Sequence, residues 1–319
     1  MARLINNRWA ELALVTGLIV LAGLLLPSNY YFRVGALVLI SAIAAVGLNL
    51  LLGFAGQVSL GHAGFVGIGA YAVALLPTHW GVPTLASIFL GAAFSGVLAL
   101  AIGRPILRLK GHFLAVATLG LGILVAMVLT NEARITGGPD GMPVPRLELL
   151  GTRIRAPEAW YWIAGGTLII SIVFAQNLLN SSTGRALRAL HDSEVAARAA
   201  GINVARVKGI VFSISAVYAS ISGSLLALLN GHITPDTASF LNSIELVTMV
   251  VLGGMGSLVG SLVGAAVLVI LPQALTVFHE YEHLLLGSFI IAIMIFLRDG
   301  IVPTLRKALL ERKAPEDRV

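Results

Sequence analysis

Seven stretches of the chain contain no Asp, Glu, Lys or Arg: residues 12–32, 34–103, 111–131, 159–184, 209–235, 246–279 and 283–297. A bilayer core of roughly 30 Å takes about 20 residues of α-helix per crossing, so 12–32, 111–131, 159–184 and 209–235 predict one span each. The two longest stretches hold turn-forming clusters. GFAGQ at 53–57 and PTHWGVP at 77–83 divide the first into three spans. GGMGS at 253–257 divides the second into two, the earlier one short and reaching back to about Ala238. A short final span centred on LLLGSFIIAIMIFL (284–297) completes the expectation of an all-α polytopic membrane protein with about ten transmembrane helices, some short or broken. The first stretch, flanked by Arg3 and Arg8, resembles a signal peptide; with no small-x-small cleavage site and more spans to follow, it reads as a retained helix.

The few charges orient these spans. Cytoplasmic loops carry the excess of Lys and Arg, and ten spans starting inside place 16 of the 21 basic residues in the cytoplasm, with both termini there. Only Arg33, Arg134, Arg146, Arg153 and Arg155 fall outside. Composition agrees: 57% of the 319 residues are apolar and 11% charged, against about 25% charged in a soluble domain. The net charge of +6 therefore reflects orientation in the membrane, and nucleic acid is not an expected partner. Cysteine is absent, which excludes disulfides, thiolate metal sites and Cys nucleophiles.

Thirty-five glycines in a helical chain need a reason, because in lipid their use is close backbone approach. GSLVGSLVG spaces Gly256, Gly260 and Gly264 at four-residue intervals, a double GxxxG that serves either packing inside the bundle or a seam against a second permease. The segment NLLLGFAGQVSLGHAGFVGIGAY (49–71) sets Asn49, Gln57, Ser59 and His62 among six glycines at membrane depth. Irregular backbone there belongs inside protein or along a wet cavity. These four residues are candidate pathway residues, the alternative being a re-entrant turn whose polar groups satisfy one another. Glu245, at the start of the short eighth span, is the acid nearest membrane depth and joins them.

The longest inside connection, 181–208, contains strong helix formers over 185–201, with Leu187, Leu190, Val195 and Ala199 forming an apolar stripe and Gly201 opening the stop signal. Its mixed charges, Arg185, Arg188, Asp192, Glu194 and Arg198, favour docking into a protein groove over lying on lipid. No Gly-Lys dipeptide occurs, so the chain holds no phosphate-binding P-loop, and a motor for ATP-driven transport must be another polypeptide. HEYEH at 279–283 matches a zinc-protease motif through His279, Glu280 and His283. Its place in an outside turn reads instead as a solvated loop, and no metal site is expected.

The 49–71 run, LRLKGHFLAVATLGLG (107–122), TGGPDGM (136–142), the 184–216 loop and VVLGGMGSLVGSLVGA (250–265) together resemble the LivM-type permease subunit of bacterial branched-chain amino acid ABC importers. The resemblance covers roughly residues 35–300. It implies a type II ABC importer-like permease in the bacterial inner membrane, spanning residues 1–300 and followed by a cytoplasmic tail, 301–319. It also implies a LivH-like permease partner, two cytoplasmic ATPases that bind ATP and Mg, and an extracytoplasmic solute-binding protein. The chain itself would need no cofactor. The 185–201 helix would be the coupling helix, the TGGPDGM loop would face the binding protein, and the cargo would be leucine, isoleucine or valine. Similar permeases carry urea, amides or aromatic acids.

Overall fold

The computed structural model of the chain describes residues 8–107, 109, 111–149, 152–154, 156–275, 287–288, 291, 293, 295–297 and 299–305. The elements are α1 (Arg8–Leu25), α2 (Asn29–Leu52), α3 (His62–Trp80), α4 (Thr84–Ile106), α5 (His112–Asn131), α6 (Ala133–Thr136), β1 (Met142–Pro143), β2 (Glu148–Leu149), β3 (Thr152–Arg153), α7 (Pro157–Asn180), α8 (Ser182–Asp192), α9 (Glu194–Ala199), α10 (Val204–Asn230), β4 (His232–Ile233), α11 (Phe240–Gly253) and α12 (Leu258–Leu275). Seven of these, α2, α3, α4, α5, α7, α10 and α12, are long and apolar enough to cross a bilayer; α1 and α11 are apolar but shorter.

The boundaries follow the local chemistry. Pro157 occupies the first position of α7, where its missing N–H costs nothing. The Asn203 side chain caps α10 by accepting the Arg206 N–H at 3.1 Å. Gly81 and Gly231, at φ 63° and 72°, close α3 and α10 in the left-handed region open to glycine. The turn clusters mark the interruptions between α2 and α3, α3 and α4, and α11 and α12, although Pro77–Trp80 of the second still belong to the last turn of α3, so the break there is residues 81–83, and Gly253 of the third closes α11. α11 starts at Phe240, because a 3-10 turn over Pro235–Ala238 precedes it. The fold is not purely helical: β1 pairs with β4 and β2 with β3 in two short antiparallel ladders. Most of the expected final span and the whole of HEYEH, with His279, Glu280 and His283, lie outside the described residues.

Burial separates an inner from an outer layer. The span windows of α2, α10 and α3 are 83%, 67% and 56% buried, against 33% and 28% for α4 and α5. The outer helices turn large apolar side chains such as Phe94, Phe113 and Leu124 outward, as a lipid-facing surface requires. α10 packs against α2, α3 and α4, and its hydroxyls tie it to four helices. Ser222 donates to the Ile40 carbonyl on α2 (2.7 Å), Ser224 to Gly69 on α3 (2.9 Å), Ser213 to Gly96 on α4 (2.7 Å) and the Tyr218 hydroxyl to Ser171 on α7 (2.6 Å). At about 0.6 kcal/mol each on average, such bonds fix register more than they add stability. Where α3 crosses α10, a Cβ on Gly69 would overlap the Ser220 carbonyl and one on Gly223 the Val66 carbonyl, so only glycine permits this approach.

The bundle has two distinct ends. At one, Gly53 lies against Gly256, Gly56 faces the His191 ring and Pro303 packs on Gly254, gathering both chain breaks, α8–α9 and residues 299–303. The last of these straddle the expected start of the tail at 301 and pack with the bundle. At the other end β1 meets β4, Arg33 Nη2 donates to Asn230 Oδ1 at 3.1 Å and the Tyr30 hydroxyl to Gln273 Oε1 at 2.8 Å.

Candidate functional site

Asn49 sits in the last turn of α2 with no exposed surface. Its amide Nδ2 donates to the Ser257 carbonyl and to Ser261 Oγ, both at 2.8 Å, and its Oδ1 accepts the Gly256 N–H at 2.9 Å. Both side-chain hydrogens are used, and the break between α11 and α12 is clasped to the break after α2. The double GxxxG divides accordingly. Gly256, at φ 77°, belongs to the break and not to the helical face expected of it. Gly260 and Gly264 do lie on α12, facing α11 in the same chain: a Cβ on Gly264 would overlap the Met249 carbonyl, and one on Gly260 would stand 2.6 Å from the Gly253 carbonyl.

His62 opens α3, fully buried, with Nδ1 3.3 Å from Ser59 Oγ and Nε2 2.6 Å from Ser215 Oγ. Ser215 donates its proton to the Gly47 carbonyl at 2.5 Å. It must therefore accept from His62 Nε2–H, and with the ring neutral Nδ1 accepts from Ser59. A single neutral tautomer satisfies the whole chain, and it joins α2, the 53–61 break, α3 and α10. Gln57 is also buried, and its Oε1 has no protein partner among the described residues.

Glu245 differs from these four. It lies on the second turn of α11, exposed, with no hydrogen bond or ion pair among the described residues, and it borders a cavity of about 120 Å³ between α2, α3, α10 and α11. Ile40, Val66, Leu226 and Met249 supply apolar wall; Thr237 and Asn242 supply polar groups. Of the five candidate pathway residues, Glu245 alone borders this cavity. A larger crevice of about 620 Å³ between α1, α2 and α12 is walled mainly by Leu, Val, Ile and Ala, and suits acyl chains better than a charged solute.

The connection after α7 is also built differently from its expectation. One helix over 185–201 becomes two, because Ser193 is extended (φ −164°, ψ 119°) and its Oγ accepts the Ala196 N–H at 3.3 Å as a cap. Ser before Glu-Val-Ala is a start signal the sequence carried. The break resets the helical phase. Leu187 and Leu190 are buried as expected, but Val195 and Ala199 are exposed, and Ala197 takes the inward position against Leu190 and Val204. Gly201, at φ 80°, ends α9 in a Schellman turn in which Gly201 N–H bonds Arg198 O and Ile202 N–H bonds Ala197 O, both at 3.0 Å.

Three of the expected docking charges, Arg188, Glu194 and Arg198, make contacts inside the chain. Arg188 Nη1 donates to the Leu179 carbonyl in the last turn of α7 at 3.1 Å. Glu194 pairs with Arg198 at 3.3 Å and with Lys208, whose side chain is only 2% exposed. Lys208, counted from sequence only as one more inside charge, anchors α9 to the base of α10. The 14-residue separation from Glu194 fits no helical periodicity that would have revealed the pair. Arg185, Asp192, Val195 and Arg198 remain exposed.

The family model described as the branched-chain amino acid transport system permease component matches residues 30–297. The chain is similar to the high-affinity branched-chain amino acid transport system permease protein LivM of Salmonella typhimurium, 33% identical over 300 residues, covering 86% of this chain and 71% of that protein. It is similar also to LivH of Escherichia coli, 27% identical over 288 residues (82% and 89% covered), and to the ribose import permease protein RbsC of Escherichia coli, 28% identical over 283 residues (84% and 85%). No solved structure gives a significant match.

Proposed function

The chain belongs to the family of branched-chain amino acid transport permease components, and we propose that it is a transmembrane subunit of an ATP-driven importer carrying leucine, isoleucine or valine into the cytoplasm. It pairs with a LivH-like permease, receives substrate from an extracytoplasmic binding protein and is driven by two cytoplasmic ATPases that hold ATP and Mg. Ten spans cross the inner membrane with both termini inside. The end that holds α8–α9 is cytoplasmic, in keeping with Arg185, Arg188, Arg198, Arg206 and Lys208 in that one connection.

The observation that carries this reading is the build of α8–α9. A short element with an exposed Val195 is fixed to the base of the central helix by an ion pair to the buried Lys208, and it abuts the 53–61 break at His191. An ATPase groove seated on Val195, Arg185 and Asp192 would move α9 and α10 together. Because Asn49 joins the two breaks, such a movement reaches both at once and switches access between the two sides. The test is reconstitution with the second permease, the ATPases and the binding protein in proteoliposomes. Leucine uptake should require ATP on the ATPase side and should survive His279→Ala with His283→Ala. Uptake without ATP, or its loss in that double variant, would overturn the importer reading in favour of a channel or a zinc enzyme.

A further inference from the structure

An unpaired carboxylate in an apolar helix demands an explanation. A charged residue costs roughly 2.5–3.5 kcal/mol at the centre of a membrane-spanning helix, and ionisable residues in apolar helices face a pathway or a partner rather than lipid. Glu245 is one and a half turns into α11, exposed, with no ion pair or hydrogen bond among the described residues. Beside it lies the cavity of about 120 Å³. The space is small and open on one side, and the apolar wall of Ile40, Val66, Leu226 and Met249 suits the four carbons of an isobutyl group. The rim offers hydrogen-bond donors as well: the Thr237 hydroxyl, and the second amide hydrogen of Asn242, whose first goes to the Asp236 carbonyl at 2.9 Å.

Resting on the importer reading above, we propose that Glu245 and this cavity form a transit site for amino acids with branched aliphatic side chains. The carboxylate accepts the substrate's α-ammonium group, Thr237 and Asn242 meet its carboxylate, and the side chain enters between Ile40, Val66, Leu226 and Met249. A sugar, an amide or an aromatic acid without an amino group offers no cation to Glu245.

The experiment uses the complete reconstituted complex with radiolabelled leucine. Glu245→Gln, which keeps shape and removes charge, should lower leucine uptake at least tenfold while assembly, melting temperature and basal ATP hydrolysis stay unchanged. Glu245→Asp should retain about a third or more of uptake. Ser41→Leu, which places a branched group in the cavity from α2, should also lower uptake at least tenfold and supplies the test if E245Q does not assemble. Full uptake by assembled E245Q or S41L overturns the site, as does equal loss in E245D and E245Q. Failure of the wild-type complex to take up leucine, isoleucine or valine instead overturns the importer reading, so the two failures are separable.

Discussion

Two polar positions on neighbouring helices make opposite use of membrane depth. Asn49 is sealed, with both amide hydrogens and its oxygen engaged by the α11–α12 break and the first turns of α12, whereas Glu245 stands exposed beside a cavity with no hydrogen bond or ion pair among the described residues. Both are polar residues in apolar spans, and both were candidates for the same pathway. The difference teaches that a polar residue at depth is sorted by its partners. One whose hydrogen bonds are complete maintains the fold, while one left incomplete is available to a solute.

The sharpest way to break this contrast is Asn49→Leu. It leaves the Gly256 N–H and the Ser257 carbonyl without their partner, and three lost bonds at about 1–2 kcal/mol each should lower the melting temperature and prevent assembly. A normally stable, transporting variant would show that the clasp holds nothing. Glu194→Ala tests the same rule at the cytoplasmic element. Stranding buried Lys208 should cost about 3 kcal/mol, and a compensating effect is expected from adding Lys208→Met, which removes the stranded charge. If the double variant is no better than the single one by thermal melting, the pair is not what holds α9.

His62→Ala removes both hydrogen bonds of the Ser59–His62–Ser215 relay, and a loss of about 1–2 kcal/mol is expected. Uptake by the surviving complex should keep its half-saturating leucine concentration; a severalfold rise would move His62 from the sealed class to the solute-facing one. At the weak end for stability is Val195→Asp, on the outward face of α9. Melting should not change, yet co-purification of the ATPases should fall. Undiminished ATPase retention would remove Val195 from the docking face.

Much of this was legible in order along the chain. The interruptions marked by the clusters at 53–57, 77–83 and 253–257 were readable because glycine and proline act locally on the helix that contains them. The inward positions of Leu187 and Leu190 were readable for the same reason, being one turn apart on α8. Val195 and Ala199 were assigned to the wrong face because a single capping residue, Ser193, restarted the helix and changed its phase. The GxxxG spacing named the right glycines for α12 but included Gly256, which lies beyond the helix start at Leu258.

The amino-acid sequence alone determined which segments are apolar enough to span, where they break, where charge concentrates and to which family the pattern is similar. These depend on transfer from water to hydrocarbon and on backbone preference, both set residue by residue. Only the tertiary structure decided that Asn49 is bound to residues 207–212 positions away, that His62 lies between Ser59 and Ser215, that Glu194 faces Lys208 and that Glu245 faces none of them. A hydrogen bond or ion pair exists only when two distant groups are brought within about 3 Å, and that proximity is a property of the packed bundle.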